Sequence, residues 1–207
     1  GGNGTPGPGG ALPLRRWGDP QDPRYGDIHF YNYTGDCMDP NMYPRAKMVT
    51  EFGFQSFASL GAVAPYSEPG VDWGPFTHFM RSRQRHDGGE GELLSQLGRH
   101  FRLPAKWTDG TAQRAGGADT RQFAHWIYLT QVHQAMCYRT ALSTWRRLRG
   151  DPRALTAGVL YWQLNDVWPG YSWSSVDFGG RGWKPAHSAA ARAYADVALS
   201  TDVTPAA

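Results

Sequence analysis

The 207-residue chain is poor in cysteine, in lysine and in long apolar runs, and each shortage closes a class of protein. Two cysteines, Cys37 and Cys137, are too few for a disulfide framework and lack metal-ligand spacing, so free thiols and no metal are the expectation. Only Lys47, Lys106 and Lys184 are lysines, the arginines are scattered, and the net charge is +3. The densest run, Arg146-Arg147-Leu148-Arg149, falls where a helix should end and there complements the helix dipole. With no recognition motif beside it, this mild balance speaks against a nucleic-acid partner. No stretch nears the roughly 18 apolar residues of a membrane span, so no membrane partner is expected. The opening Gly-Gly-Asn-Gly-Thr-Pro has no signal-peptide pattern and assigns no compartment.

Aromatic residues are abundant instead, at 14% with nine Trp. They have two outlets, a thick core or flat platforms for a ligand. Residues 1–24, dense in Gly and Pro, read as a loose leader, because ordering so much glycine is entropically costly. Asp27 to Tyr33 reads as a strand, followed by a turn-rich stretch and a second strand that carries Glu51. Short helices are expected over Phe76 to Arg85 and over Glu92 to Phe101, where Leu93, Leu94, Leu97 and Phe101 recur at helical spacing. The strongest helix opens at Asp119 with Gln122 completing a capping box, buries Trp126, Leu129, Val132 and Met136, and stops at Gly150-Asp151-Pro152. Val159 to Leu164, apolar on both faces, reads as a buried parallel strand, and a last helix runs from Pro185 toward Leu199. This order is α/β, with a main unit over 25–200 and a tail at 201–207. Only three strands are credible, whereas a complete (β/α)₈ barrel has eight, so the chain reads either as a small α/β unit or as part of a barrel.

Glu51 sits just past an apolar run, between Thr50 and Phe52 and before Gly53. Partial desolvation, with Gln55 and Ser56 as donors, would suit a nucleophile or general base. A structural ion pair with Arg45 or Lys47 is the plainer reading of such a residue. The other strand ends change the balance. His29, Tyr31 and Tyr33 close one strand and Trp162, Asn165 and Asp166 another, and a parallel sheet gathers all of them with Glu51 at its carboxyl edge. Sugars fit such an edge, since their C–H faces stack on rings while their hydroxyls bond His, Asn and Asp. Glycoside hydrolysis also requires carboxylates.

Three segments, Ile28-His29-Phe30-Tyr31, Thr50-Glu51-Phe52-Gly53-Phe54-Gln55-Ser56 and Leu160-Tyr161-Trp162-Gln163-Leu164-Asn165-Asp166-Val167-Trp168, resemble in order the later barrel strands of the β-mannosidases of glycoside hydrolase family 2. The loop Arg83-Gln84-Arg85-His86-Asp87-Gly88-Gly89 is similar to that family's arginine, glutamine, histidine and glycine loop, with Glu90 where relatives carry asparagine. The resemblance runs from about Tyr25 to about Ala193. It implies a partial (β/α)₈ TIM barrel, roughly the last three strands and their helices, of a retaining exo-β-mannosidase that acts on a β-mannoside oligosaccharide or glycan without a cofactor. It makes Glu51 the nucleophile, Tyr33 and Trp162 sugar-binding aromatics, and His29, Tyr31, Asn165 and Asp166 pocket residues. The family's acid/base glutamate follows an asparagine, and no Asn-Glu pair exists in this sequence. The expectation is therefore a fragment, inactive and poorly soluble alone, whose partner is the missing N-terminal segments of the same enzyme. A β-galactosidase or β-glucuronidase of the same family is one rival. Another is a non-catalytic carbohydrate-binding module built on Tyr33, Trp162, Trp168 and Trp173. For single residues, Trp168 and Trp173 read as packing, and His78, His86, His100 and His125 as surface or loop residues. The Asn3-Gly4-Thr5 and Asn32-Tyr33-Thr34 sequons read as chance.

Overall fold

The computed structural model describes residues 18–108 and 120–201; the first 17 residues of the expected leader, the expected Asp119 cap and residues 202–207 of the tail lie outside them. The described residues form five strands, β1 (Asp27–Phe30), β2 (Met48–Phe52), β3 (Ser56–Phe57), β4 (Gly158–Val159) and β5 (Tyr171–Ser172). Six helices accompany them: α1 (Leu60–Val63), α2 (His78–Ser82), α3 (Gly89–His100), α4 (Ala105–Thr108), α5 (Thr120–Leu148) and α6 (Pro185–Ala193). The class is α/β. Strands β1, β2 and β4 make a small parallel sheet in the order β1-β2-β4, and β3 pairs antiparallel with β5. Because the three parallel strands run one way, their carboxyl ends share one edge.

The third strand differs from the sequence expectation. Its regular part is short, yet the chain keeps ladder contact with β2 as far as Trp162, through Leu160 N to Val49 O (2.8 Å) and Trp162 N to Phe52 O (2.7 Å). Val159 and Tyr161 pack into the core, while Leu160 and Leu164 are 50% and 58% exposed. Period-two alternation thus gives one covered and one open face, and the strand is half-buried.

Helix α5 spans 29 residues and supplies one wall of both hydrophobic clusters. Its buried face is rotated from the expected stripe. Trp126 is buried, but Met136 is 39% exposed, and Thr130, Gln131, His133 and Gln134 are buried in its stead. The reason lies in the backbone beyond β2, whose polar groups α5 satisfies with side chains. Gln134 Nε2 donates to Phe54 O and Ser174 O (both 3.0 Å), and Ser56 Oγ donates to Gln134 Oε1 (2.8 Å). Phe57 N donates to Thr130 Oγ1 (3.1 Å), and Gln131 Nε2 donates to Phe57 O (2.9 Å). A hydropathy pattern misses this face because hydrogen bonding, rather than apolarity, makes its burial tolerable.

Much of the aromatic surplus is core. Trp73, Trp107, Trp126 and Trp145 are buried, and Trp145 meets Phe30, Tyr43 and Phe52 at ring separations of 5.9, 5.1 and 5.0 Å. The expectation of free thiols is overturned: Cys37 and Cys137 are disulfide-bonded across 100 residues of sequence. The turn after β1 folds back onto the buried face of α5, a juxtaposition that spacing along the chain does not reveal.

Replacing Gln134 by Leu strands two backbone carbonyls and a hydroxyl, and should lower the unfolding free energy by about 3 kcal/mol. Met136→Ala, at a more exposed position of the same helix, should change it by no more than about 0.5 kcal/mol. Urea denaturation of the two variants measures the difference.

Candidate active site

The register of the parallel sheet sets His29 of β1 opposite Glu51 of β2. Tyr31, two residues on, donates its hydroxyl to Glu51 Oε1 at 2.6 Å, and His29 Nδ1 lies 3.6 Å from Oε2. The Glu51 side chain keeps 27% of its accessible surface, enough to meet a ligand. Burial, and then the hydrogen bond to Glu51, push the Tyr31 hydroxyl far above the ordinary phenol range. It therefore stays protonated and acts as a donor. Of the expected structural partners of Glu51, Arg45 pairs with Asp151 instead. The expected donors are also engaged elsewhere, because Gln55 exchanges hydrogen bonds with Gln84 (2.9 and 3.1 Å) and Ser56 is held by Gln134.

A wall of rings stands beside this carboxylate. Trp173 Nε1 donates to Tyr33 Oη at 2.6 Å, and the Trp173 ring lies 6.4 Å from that of Tyr31. Tyr33 in turn is 5.1 Å from the His86 ring, and His86 is 6.0 Å from Trp173. Burial raises the Tyr33 hydroxyl well above its usual value. His86 Nε2 sits 2.6 Å from Glu92 Oε2, an ion pair when the ring is protonated. Two residues read from the sequence as packing or loop, Trp173 and His86, thus belong to this wall. The signal for His86 was its place in the Arg-Gln-Arg-His-Asp-Gly-Gly loop, whereas no local pattern distinguishes Trp173. Trp168 does pack, with the Arg83 and Arg85 guanidinium groups 5.1 and 5.2 Å from its ring.

The third strand end comes in beside Gly53. A Cβ on Gly53 would lie 2.2 Å from Trp162 O and 2.9 Å from Trp173 Cδ1, so glycine is required here for close approach. Tyr138 Oη lies 2.8 Å from Trp162 O and 2.6 Å from Trp173 O, and its single proton, shared between the two carbonyls, fastens the segments together. The Trp162–Gln163 peptide is cis, and Trp162 is 45% exposed.

Beyond Trp162 the expected site residues part company. Asn165 bridges Val176 through its backbone and donates its amide to Asp166 O. Asp166 turns inward, a correction to its expected place in a pocket. Its carboxylate accepts from Ser172 Oγ and lies 3.7 Å from Lys184 Nζ, with both charged side chains buried. Burial pushes the Lys184 ammonium down, opposed by Asp166 and Asp177. This carboxylate is spent on an internal charge and has no access to a sugar. The structure therefore brings together His29, Tyr31, Tyr33, Glu51 and Trp162, adds Trp173 and His86, and sets Asp166 apart.

A carboxylate at the carboxyl edge of a parallel sheet, bonded to a tyrosine and walled by rings, sets a hydrogen-bonding group beside flat apolar faces. Comparison with known proteins gives the chain its relatives. The chain is homologous to β-mannosidases: it is 40% identical to the mouse enzyme over 180 residues and 40% identical to the goat enzyme over 181 residues, 86% of this chain in each case. A probable β-mannosidase of Caenorhabditis elegans is 31% identical over 189 residues. The chain spans about a fifth of the length of these relatives, 19% of the mouse and goat proteins and 21% of the nematode one. The crystal structure of β-D-mannosidase from Dictyoglomus thermophilum shares the fold, with a TM-score of 0.69 at 22% identity over 86% of this chain and 20% of that one. No protein-family model matches the chain.

Gly53→Ala should cost about 2 kcal/mol, because the added methyl meets a carbonyl that Tyr138 holds in place. Gly91→Ala, in α3 where a Cβ meets nothing within 4 Å, should leave stability unchanged or raise it by up to about 1 kcal/mol. Thermal denaturation of both variants provides the comparison.

Proposed function

We propose that residues 25–200 form the C-terminal portion of a (β/α)₈ barrel, roughly its last three strands and their helices, and carry the nucleophile side of a retaining exo-β-mannosidase active site of the glycoside hydrolase family 2 type. The observation that carries this reading is the Tyr31 Oη to Glu51 Oε1 hydrogen bond at the shared edge of β1 and β2. Homology to β-mannosidases supports it. Retaining hydrolysis uses two carboxyl groups roughly 5–5.5 Å apart. One attacks the anomeric carbon while the other protonates the departing oxygen. Tyr31 occupies Oε1 of Glu51, so Oε2 is the oxygen positioned to attack. The attack forms a mannosyl ester on Glu51 and expels the aglycone, and water then cleaves the ester to release mannose.

The remaining residues take roles that follow from their placement. His29, beside Oε2, meets the hydroxyls nearest the reacting carbon. Tyr33, Trp162 and Trp173 offer faces for the C–H surfaces of a terminal β-mannose on an oligosaccharide or glycan. No Asn-Glu pair occurs in the 207 residues, so the proton donor comes from a segment of the same enzyme outside this sequence. The chain alone binds and reacts with activated mannosides without turning over ordinary ones.

A 2-deoxy-2-fluoro-β-mannosyl fluoride separates these steps, since fluoride departs without a proton donor. Incubation should add one fluoromannosyl unit to the peptide containing Glu51, with no addition in Glu51→Gln and only background turnover of an aryl β-mannoside. Absence of the adduct, or equal labelling by the galactosyl analogue, overturns the assignment. Glu51-dependent turnover of the aryl mannoside by this chain alone overturns the need for an outside acid.

A further inference from the structure

From sequence alone the Asn32-Tyr33-Thr34 sequon reads as chance, because a sugar chain on its asparagine would stand among residues assigned to the pocket. The folded turn after β1 answers that objection. Tyr31 and Tyr33 send their rings to the wall beside Glu51, with ring centres 6.2 Å apart. Asn32, between them, sends its amide onto the turn that follows instead. Its Oδ1 accepts from Thr34 N (3.1 Å), Thr34 Oγ1 (3.2 Å) and Gly35 N (2.8 Å). Among the described residues, no hydrogen bond engages Asn32 Nδ2.

Side chains of α3 hold this turn in place. Gln96 Nε2 donates to Tyr33 O (2.6 Å) and Gly35 O (2.5 Å), Arg99 Nη2 donates to Thr34 O (2.7 Å), and His100 Nε2 lies 2.7 Å from Asp36 Oδ1. Thr34 is exposed on it and Asn32 partly so. Gly35 lacks the Cβ that would stand 3.2 Å from Asn32 Nδ2, which keeps the space beside that nitrogen clear. Joining a sugar to Nδ2 leaves the amide oxygen and one N–H in place, so all three bonds to Oδ1 survive the modification. The Cys37–Cys137 disulfide, which starts from the same turn, is an independent observation. Disulfides form and persist in oxidising compartments such as the endoplasmic reticulum lumen, where asparagine-linked sugar chains are also attached.

We propose that Asn32 is an N-glycosylation site, which takes a preassembled oligosaccharide from a polyprenyl pyrophosphate lipid. Nδ2 bonds to the anomeric carbon of the first sugar while the bond from that carbon to the pyrophosphate oxygen breaks. The lipid pyrophosphate departs, and one amide proton passes to a base of the transferase. Thr34 supplies the hydroxyl that the sequon requires, and the turn keeps it on the same side as the amide. This site is independent of the role given to Glu51.

The test uses the full 207-residue chain with Asn3→Gln, which removes the other sequon, made behind a cleavable signal peptide in cultured animal cells. A peptide N-glycosidase acting in heavy-oxygen water turns a glycosylated asparagine into an isotope-marked aspartate, and mass spectrometry of the Asn32 peptide reads that mark. Expected are one sugar chain on the disulfide-closed chain, its loss in Asn32→Asp and in Thr34→Ala, and its retention in Thr34→Ser. Asn32→Asp keeps the oxygen that the turn uses, so its comparison with the parent does not hinge on a damaged fold. Transfer happens as the chain enters the lumen, so cell-retained and secreted chains are both read. An unmodified Asn32 in both, beside a co-expressed glycoprotein that is modified, overturns the proposal. A sugar chain found only on molecules whose disulfide is open overturns it equally.

Discussion

Hydrogen bonds from helix α5 to the backbone beyond β2 hold the halves of this molecule in register. Gln134 alone joins Phe54 and Ser56 of one segment to Ser174 of another that is far away in sequence. A buried amide is destabilising when its groups are unpaired and specific when all are satisfied. Satisfaction here fixes the rotation of α5 about its axis. Tyr138, one turn further along, is thereby aimed at the carbonyls of Trp162 and Trp173, and Cys137 is presented to Cys37. The path from one glutamine to the wall beside Glu51 runs through contacts no longer than 3.0 Å.

A second constraint is electrostatic. Lys184, fully buried, faces Asp166 and stands near Asp177, whose Oδ1 accepts from Ser59 N. The charges are withdrawn from water, so the cluster contributes more to a unique arrangement than to net stability. It ties the irregular chain between β4 and α6 to the end of β3. That stretch has little regular secondary structure to hold it, and a buried ion pair takes over the task of a missing ladder.

The parts of the fold legible from sequence were those with a periodic signal. Leu93 and Leu97 are buried on α3 as their spacing requires, and the polarity of β1, β2 and β4 brings His29, Tyr31 and Glu51 to one edge. What escaped was set by long-range partners. Polar residues buried on α5 carry no apolar periodicity, and Asp166 reads as a strand-end carboxylate until Lys184 is seen beneath it. The Cys37–Cys137 pairing is equally a property of the folded path. Trp173 joined the site by bonding Tyr33 across 140 residues, a distance no local motif spans.

Gly53 sits where a carbonyl and an indole close over the strand that bears Glu51, and this has a bearing on how such a site can diversify. Two residues beyond the carboxylate, the backbone at Gly53 is packed so closely that there is no room for even one extra carbon. Change at the strand end is therefore closed to gradual substitution, while Tyr33, His86 and Trp173 meet through side chains that can be exchanged singly. The backbone beside Glu51 is the rigid part of this edge, and the side chains of the ring wall are its exchangeable part.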